Sequence, residues 1–406
     1  MIFTSGAIEA AAGTYRLAME AVEDRTSISG RAAAGPLLGL IVNPLAGVGG
    51  RAGLKGSDGK EIVQEALRRG SVPLAPRRAA LALEQIAKML PGLDIATAGG
   101  SMGADIAEAA GFAPRVLHWP AEGDTAGIDT RKTSEALAAA GVDLILFVGG
   151  DGTARDVLIA KGKRIPMLGV PAGVKMHSAV FGTSPQAAGQ LAARYLAGDP
   201  AAIIRDAEIM DLDEDAIRQD RVSAKLYGFS RSPFEQRLSQ NAKSGARPGE
   251  DAILDAIARR IARTMRPDCL YLLGPGTSTR RVSRALDLPA TLLGVDAVMN
   301  GQLVGKDLDE AGILGLMAGH DCFIVVGVLG GQGSLFGRGN QQISAEVIGR
   351  AGRSNIIVIA ALEKLIALEG QPLRVDTGDP AIDTMLSGYL QISTGLDQDT
   401  IYRVQS

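Results

Sequence analysis

The chain has 406 residues, 46% of them hydrophobic and 21% charged, and its formal net charge is −3. This composition indicates a folded protein of two or three domains and excludes collagen, coiled coil and global disorder. The near-neutral charge disfavours nucleic acid or a membrane as a partner. Two cysteines are too few for a disulfide framework, so we expect a cytoplasmic protein. Glycine is unusually frequent: 52 of the 406 residues are glycine, ~13% against a usual share of ~7%. This frequency predicts loops where the backbone approaches a ligand closely.

Short apolar segments alternate with helical ones in the first half of the chain. Strands are predicted at 37–42, 94–98, 115–119, 143–148 and 166–170, and helices at about 58–70, 104–110, 130–140, 151–161 and 184–197. This alternation is typical of a parallel sheet with helices on both faces. Residues 1–36 precede it and are predicted to form an N-terminal extension with a helix over 8–22.

The pattern changes after residue 201. Strands are predicted at 203–212, 222–229, 269–273, 323–329 and 356–361, a helix at 253–264, an irregular polar loop at 230–249, and short strands and turns at 375–404. We therefore expect an α/β fold of two domains. The first is a Rossmann-like α/β domain over 37–205, and the second is a mixed, β-rich α/β domain over 206–406.

Glycine-rich loops follow several predicted strands. A strand, a glycine loop and a helix bring N–H groups and the positive end of the helix to one point, which suits a phosphate. The first loop contains Asn43, Gly47, Gly49 and Gly50. Phosphate binding is the favoured interpretation of this loop, and a plain structural turn is the alternative. A dinucleotide site for hydride transfer is disfavoured, because further glycines delay the helix to about residue 58.

The second loop, Gly99-Gly100-Ser101-Met102-Gly103, matches the nucleophile elbow of serine hydrolases. A hydrolase would also need a histidine and an acid, and no motif around any of the three histidines indicates a catalytic role. We therefore favour a loop that lines a ligand cleft over a nucleophilic serine.

The third loop is the most specific signal. It consists of Gly149, Gly150, Asp151, Gly152 and Thr153, directly after an apolar strand. A carboxylate where phosphates would arrive is unfavourable unless it does chemistry, such as accepting a proton from an attacking hydroxyl or orienting Mg²⁺. The alternative is that this aspartate caps the following helix.

Two further groups lie in the second half of the chain. Gly276, Thr277, Ser278 and Thr279 open a predicted helix beside two arginines, which is a possible anion site, and the glycine-rich segment 330–340 is another. A purely structural turn is the alternative for either group.

The Gly149–Thr153 segment resembles the signature of NAD kinases and of the superfamily that also contains diacylglycerol, sphingosine and 6-phosphofructo-kinases. The segments 42–50, 54–59 and 330–344 resemble the ATP-NAD kinase-like proteins of the AcoX type. The resemblance covers about residues 37–405. It implies a two-domain NAD-kinase-like fold whose second domain binds the acceptor.

The resemblance also implies roles for individual residues. Asp151 corresponds to the base for the ribose 2′-hydroxyl, and Gly149, Gly150, Gly152 and Thr153 to the residues that approach the phosphates. Asn43 corresponds to an asparagine near the donor nucleotide. The segment Gly276–Thr279 resembles a Gly-Ser-Thr loop of the second domain. Asp213 and Glu214 lie where NAD kinases have an Asn-Glu pair that holds NAD.

The resulting hypothesis is an ATP-dependent kinase that phosphorylates the 2′-hydroxyl of NAD(H) with Asp151 as general base. Its implied ligands are ATP, Mg²⁺ and NAD as acceptor, its partners are small-molecule nucleotides, and a homodimer or homotetramer is expected. The alternatives are a kinase for another small hydroxylated metabolite and a nucleotide-binding regulatory protein without turnover. No membrane partner is expected.

Overall fold

A computed structural model describes residues 35–54, 60–120, 125–162, 164–173, 176–212, 224–239, 250–329 and 333–406. Residues Leu37–Ser406 form one compact unit. The predicted helix over 8–22, the predicted helix start at Asp58 and half of the predicted polar loop, 240–249, lie outside the described residues. The first part of that loop was predicted wrongly, because the residues up to Phe234 continue a strand. Among the described residues, no helix has the length and apolar character that crossing a membrane requires.

A five-stranded parallel sheet forms the first half of this unit. Its strands are β1 (Leu37–Val42), β2 (Asp94–Ala98), β3 (Arg115–His118), β4 (Leu144–Gly149) and β5 (Met167–Pro171), in the order β3-β2-β1-β4-β5. Every residue of β1 and β4 is buried. Strands buried on both faces are read from the sequence as continuous apolar runs, which is why they were predictable.

Helices cover both faces of this sheet. They are α1 (Lys60–Arg68), α2 (Ala75–Met89), α3 (Ala104–Ala109), α4 (Gly127–Ala139), α5 (Asp151–Ala160) and α6 (Pro185–Leu196). Leu38 and Leu40 pack in the core with α2 and α6, while Leu37 and Ile41 pack on the opposite face with α4 and α5. This alternation follows from the period of two along a strand.

The strand order reverses next to β1. The chain leaves β1 towards β2 on one side and later returns to β4 on the other side. In open α/β sheets, ligands bind in the crevice at the carboxyl ends of the strands where the order reverses. The loops after β1, β4 and β5 meet at this point.

The rest of the unit is a two-stranded hairpin and a second, mixed sheet. The hairpin is β6 (Ile203–Leu212) with β7 (Ala224–Phe234). The second sheet has the order β10-β9-β8-β11-β13-β15-β16-β14-β12, with strands β8 (Leu270–Leu273), β9 (Val295–Met299), β10 (Gln302–Leu308), β11 (Cys322–Gly327), β12 (Ser334–Phe336), β13 (Ile356–Ile359), β14 (Leu373–Val375), β15 (Gly388–Ser393) and β16 (Asp399–Gln405). Its helices are α7 (Glu250–Thr264), α8 (Thr277–Ala285), α9 (Glu310–Leu316), α10 (Ala345–Ala351), α11 (Leu362–Ile366) and α12 (Pro380–Leu386).

The α/β fold class and the predicted strands of the first sheet are confirmed, with ends that shift by one or two residues. Ser184 caps α6 by accepting a hydrogen bond from the N–H of Ala187. Helix α2, the β9–β10 hairpin and α12 were not predicted from the sequence. The segment 375–404, expected to contain only strands and turns, contains that last helix.

Candidate active site

The loops after β1 and β4 are joined by side chains as well as by the sheet. The Nδ2 of Asn43 donates to the Oγ1 of Thr153 at 3.1 Å, and the N–H of Asn43 donates to the carbonyl of Val148. The Oδ1 of Asn43 accepts from the N–H of Leu45, which fixes the amide orientation. Two of the predicted site residues, from loops 110 positions apart, are therefore in contact.

Glycine is required where the loops after β4 and β5 approach each other. A Cβ on Gly173 would lie 2.7 Å from the Cα of Gly150, and a Cβ on Gly150 would lie 3.1 Å from the Cα of Gly173. A Cβ on Gly149 would collide with the side chain of Thr153. Gly47 has φ +83°, and its Cβ would lie 2.5 Å from the carbonyl oxygen of Ala172. These glycines form a bare backbone cradle at the carboxyl edge of the sheet.

Asp151 is the first residue of α5, yet its side chain does not cap that helix. The N-cap position is Gly150, which makes no side-chain hydrogen bond. The Asp151 carboxylate instead accepts from the N–H of His177 at 2.6 Å, the N–H of Ser178 at 3.1 Å and the hydroxyl of Ser178 at 2.7 Å. The interpretation of Asp151 as a helix cap is therefore wrong.

The electrostatic environment of Asp151 is unusual for a carboxylate. Its side chain is only 4% exposed. Burial raises the pKa of Asp151 to about 7, and the nearby charge of Asp211 adds to this rise, although the bonds from Ser178 and His177 oppose it. Burial prevails because it removes water from the charged form. The carboxyl group therefore changes its charge near neutral pH.

The β6–β7 hairpin holds Ser178 in place. The N–H of Met210, on β6, donates to the Ser178 Oγ at 2.9 Å, and the Ser178 Oγ also lies 2.8 Å from the Met210 carbonyl. One turn after Asp151, Arg155 forms an ion pair with Asp211 at 2.7 Å. The hairpin is thus bonded both to Ser178, the partner of Asp151, and to α5, the helix that Asp151 begins.

Residues of the second sheet region lie against the first loop. A Cβ on Gly50 would lie 3.0 Å from the Cβ of Gln341. The N–H of Glu310 donates to the carbonyl of Arg51 at 3.1 Å, and their side chains lie 3.9 Å apart. The loop over residues 43–53 therefore lies between the sheet that positions it and the second half of the chain.

The structure groups the other predicted residues differently. Gly49 belongs to the turns of the first loop, and Gly152 is the second residue of α5. The segment Gly276–Thr279 begins α8 on the second sheet. The hydroxyl of Thr279 donates to the carbonyls of its own loop at Gly274 and Gly276, so it serves the turn. Asp213 and Glu214 lie outside the described residues.

The structure also brings to this site residues that the sequence did not single out. His177 and Ser178 hold Asp151, and Gln341 packs on Gly50. The Pro171-Ala172-Gly173 turn precedes the first pair in the chain, and its Gly173 approaches Gly150. Nothing in the local sequence indicates that a serine hydroxyl would bond the carboxylate. Ser101 lies in a short 3₁₀ turn after β2 and is exposed.

The parallel sheet with glycine turns at its switch point places the chain among α/β proteins that bind a ligand at the carboxyl edge of a sheet. The chain matches the ATP-NAD kinase N-terminal domain over residues 38–200 and the ATP-NAD kinase C-terminal domain over residues 268–404. These matches cover most of the chain, and it belongs to the NAD kinase family. No curated protein and no solved structure matches it. The resemblance to NAD kinases is confirmed, and the AcoX subtype stays a prediction.

Proposed function

We propose that the chain is an ATP-dependent kinase that transfers the γ-phosphoryl group of ATP to the ribose 2′-hydroxyl of NAD(H). The family match supports a kinase with ATP and NAD(H) as substrate classes. The observation that carries the proposal is the Asp151 carboxylate, which three donors hold beside the glycine cradle and whose pKa of about 7 suits a general base.

The cradle binds the donor phosphates. Gly149, Gly150 and Gly173 present backbone without side chains, and the positive end of α5 begins at this point. Asn43 and Thr153 support the loop from the β1 side. Phosphoryl transfer depends mainly on positioning and electrostatic stabilisation, which such a site supplies.

Asp151 takes the proton of the acceptor. Its Oδ1 accepts both bonds from Ser178, and its Oδ2 accepts the bond from the His177 N–H. Because a carboxylate oxygen has two lone pairs, Oδ2 has capacity for one more bond. The 2′-hydroxyl transfers its proton to Oδ2, its oxygen bonds to the γ-phosphorus, and the bond from that phosphorus to the bridging oxygen breaks to release ADP.

Mg²⁺ enters this scheme as part of the Mg·ATP substrate. The described residues contain no group of three or more His, Cys, Asp or Glu side chains that could hold a metal. Mg²⁺ usually keeps several waters and is held largely by the phosphate oxygens of its substrate, so the ion would arrive with the nucleotide.

The test incubates the purified protein with Mg·ATP and either NAD⁺ or NADH and detects NADP(H) with an NADP-specific dehydrogenase. We expect product with the wild type. Asp151→Asn should lose about 10²–10⁴-fold in turnover, the usual contribution of a positioned base. Its affinity for Mg·ATP, measured by calorimetry, should change little.

Asp156→Asn is the matched control, because Asp156 is also a buried acid of α5 but pairs with Arg131 at 3.0 Å. It should keep turnover. If Asp151→Asn retained full turnover, the base assignment would be wrong. If the wild type bound ATP but made no NADP(H), the acceptor would be wrong, and other small hydroxylated metabolites would be the next substrates to assay.

The remaining parts of the hypothesis are separate proposals. A homodimer or homotetramer is expected, and light scattering on the purified protein would measure its mass. The AcoX subtype and a cytoplasmic location stay predictions.

A further inference from the structure

Trp119 is a large aromatic side chain that the fold leaves exposed. It directly follows β3 and is 69% exposed, although tryptophan is highly buried on average in folded proteins. It is also the one tryptophan among the 406 residues. β3 is the edge strand of the first sheet, and its carboxyl end lies on the same side of the sheet as the loops after β1 and β4.

A glycine in the loop after β2 lets this ring pack flat. A Cβ on Gly99 would collide with three neighbouring atoms of the six-membered ring of Trp119, namely Cδ2, Cε3 and Cζ3, at nearly equal distances. Nearly equal short distances to three adjacent ring atoms occur only over the face of a ring, so Gly99 lies against one face of the indole. Because the side chain is nevertheless largely exposed, its opposite face is open to solvent.

The ring, and not the backbone, requires a glycine at position 99. The φ of −69° and ψ of 159° of Gly99 lie in the extended region, which any residue adopts. Its N–H donates to the carbonyl of His118 at 2.8 Å, so the loop under the ring is bonded to the strand end that carries the ring. A singly scattered surface aromatic needs no such support. Trp119 packed on Gly99 thus forms a fixed aromatic surface, the indole platform.

The place of the indole platform suits the base of a nucleotide. Bases of all kinds stack on the faces of aromatic side chains. In the sheet order, β3 is two strands from β1 and three from β4, and neighbouring strands lie about 4.8 Å apart. The platform is therefore about 10 Å from the first glycine loop and about 14 Å from the cradle glycines after β4. A ribose with a chain of phosphates can span such a distance.

We propose that the indole platform binds the adenine ring of a nucleotide by stacking while the phosphates of that nucleotide lie in the glycine cradle. This inference rests on the proposed function, in which both substrates, ATP and NAD(H), carry adenine. Stacking tolerates any base, so the platform supplies affinity and no choice between bases. The loop from Gly99 to Gly103 then acts as the support of the ring, and the exposed Ser101 has no part in the chemistry.

The fluorescence of the protein tests this directly. Because Trp119 is the one tryptophan, emission excited where tyrosine does not absorb comes from this ring alone. We titrate the wild type with Mg·ATP, with NAD⁺ and with inorganic triphosphate, which carries phosphates without a base. Mg·ATP should quench the emission and triphosphate should not. If NAD⁺ quenches and Mg·ATP does not, the stacked adenine is that of the acceptor.

Calorimetry on variants measures what the stacking contributes. Trp119→Ala should weaken binding of the quenching nucleotide about 5- to 150-fold, the usual contribution of one stacked base, and should leave triphosphate binding unchanged. Trp119→Phe keeps a ring and should retain most of the affinity. Gly99→Ala keeps the indole but displaces it, so it should weaken the same nucleotide. Tyr389→Ala is the matched control, because Tyr389 on β15 is equally exposed, and it should bind like the wild type.

Two results would overturn the proposal: neither nucleotide quenches the wild type, or Trp119→Ala binds the quenching nucleotide as tightly as Tyr389→Ala does. In the second case, a lower mass of Trp119→Ala in light scattering would assign the ring to a subunit contact instead. NADP(H) formation is measured separately. Stacking without NADP(H) would reject the proposed acceptor and leave the indole platform standing, whereas NADP(H) formation with unchanged nucleotide affinity in Trp119→Ala would reject the platform alone.

Discussion

The Ser178 hydroxyl controls the charge of Asp151, and one substitution tests this dependence. The hydroxyl donates to the Asp151 Oδ1 at 2.7 Å and is the strongest of the contacts that oppose the effect of burial on the pKa. Ser178→Ala removes this bond but leaves the backbone N–H of residue 178 in place. We expect the pKa of Asp151 to rise further above its value of about 7.

The size of the rise follows from the hydrogen bond. A bond to a charged group contributes about 1.5–3 kcal/mol, and one pKa unit corresponds to about 1.36 kcal/mol, so complete loss would raise the pKa by about 1–2 units. The Ser178 hydroxyl has one proton and a second acceptor, the Met210 carbonyl at 2.8 Å. Its bond to Asp151 is therefore shared, and we expect a rise of about one unit.

The assay is the pH dependence of kcat/KM for NADP⁺ formation. If Asp151 is the base, activity falls as pH drops through its pKa, and Ser178→Ala should shift this acidic limb upward while the plateau at higher pH changes less. Ser134→Ala is the control. Among the described residues, the hydroxyl of this buried serine bonds only the carbonyl of Thr130, within α4. An acidic limb that stays in place, or moves to lower pH, would refute the reasoning.

Three further predictions concern stability. The pKa of Asp151 is near 7 in the folded protein and 3.8 for an unperturbed aspartate, so the folded state holds a proton that the unfolded chain releases. The free energy of unfolding should therefore fall by up to about 4 kcal/mol as pH rises from 4 to 7. Denaturant titrations should show this loss in the wild type and not in Asp151→Asn. Gly47→Ala should lower the free energy of unfolding by about 2–4 kcal/mol, because residue 47 has a positive φ and its new Cβ would collide with the Ala172 carbonyl. Gly70→Ala, where φ is +77° but the space is open, should lower it by only about 1 kcal/mol. Urea unfolding of both variants compares them, and equal losses would contradict the contact. Arg78→Met should cost about 2–4 kcal/mol because it strips Asp376 and the Pro171 carbonyl of their partner, and a melting temperature equal to that of the wild type would contradict this.

Sequence patterns predicted the first sheet well because its strands are buried on both faces. The apolar runs at 37–42 and 144–149 have no polar side that could suggest another structure. The loop from Gly149 to Thr153 was equally clear, since three glycines and one aspartate at a strand end have few structural explanations. These signals are local, and local signals are what a single sequence retains.

Helix α2 was missed because its buried face is made largely of alanine. Ala75, Ala79 and Ala82 are fully buried, but small side chains give a weak hydrophobic pattern. They are small because α6 packs closely here: a Cβ on Gly189 would collide with the backbone of Ala82. The packing that requires the small residues is thus also what hides the helix.

The β9–β10 hairpin was missed although its signal is present. Asn300 and Gly301 both have positive φ, at 51° and 72°, which is the two-residue turn that favours Asn-Gly. The buried Asp296 makes β9 look unlike a strand. Its carboxylate accepts from Thr291 and from the N–H of Asp307, and these partners become visible only in the folded chain.

The position of Asp151 was predictable, but its surroundings were not. An aspartate at a helix start usually caps that helix, and a carboxylate used in this way is exposed and strongly acidic. Here the chain after β5 runs beside that strand, with the N–H of Gly182 bonded to the Gly169 carbonyl, and this path brings Ser178 to the carboxylate from 27 residues away. Burial by that segment raises the pKa, while its N–H groups keep the ionised form accessible. A segment that moved away would leave an ordinary acidic aspartate, so the same contacts that bury Asp151 are the ones that bring its pKa close to neutrality.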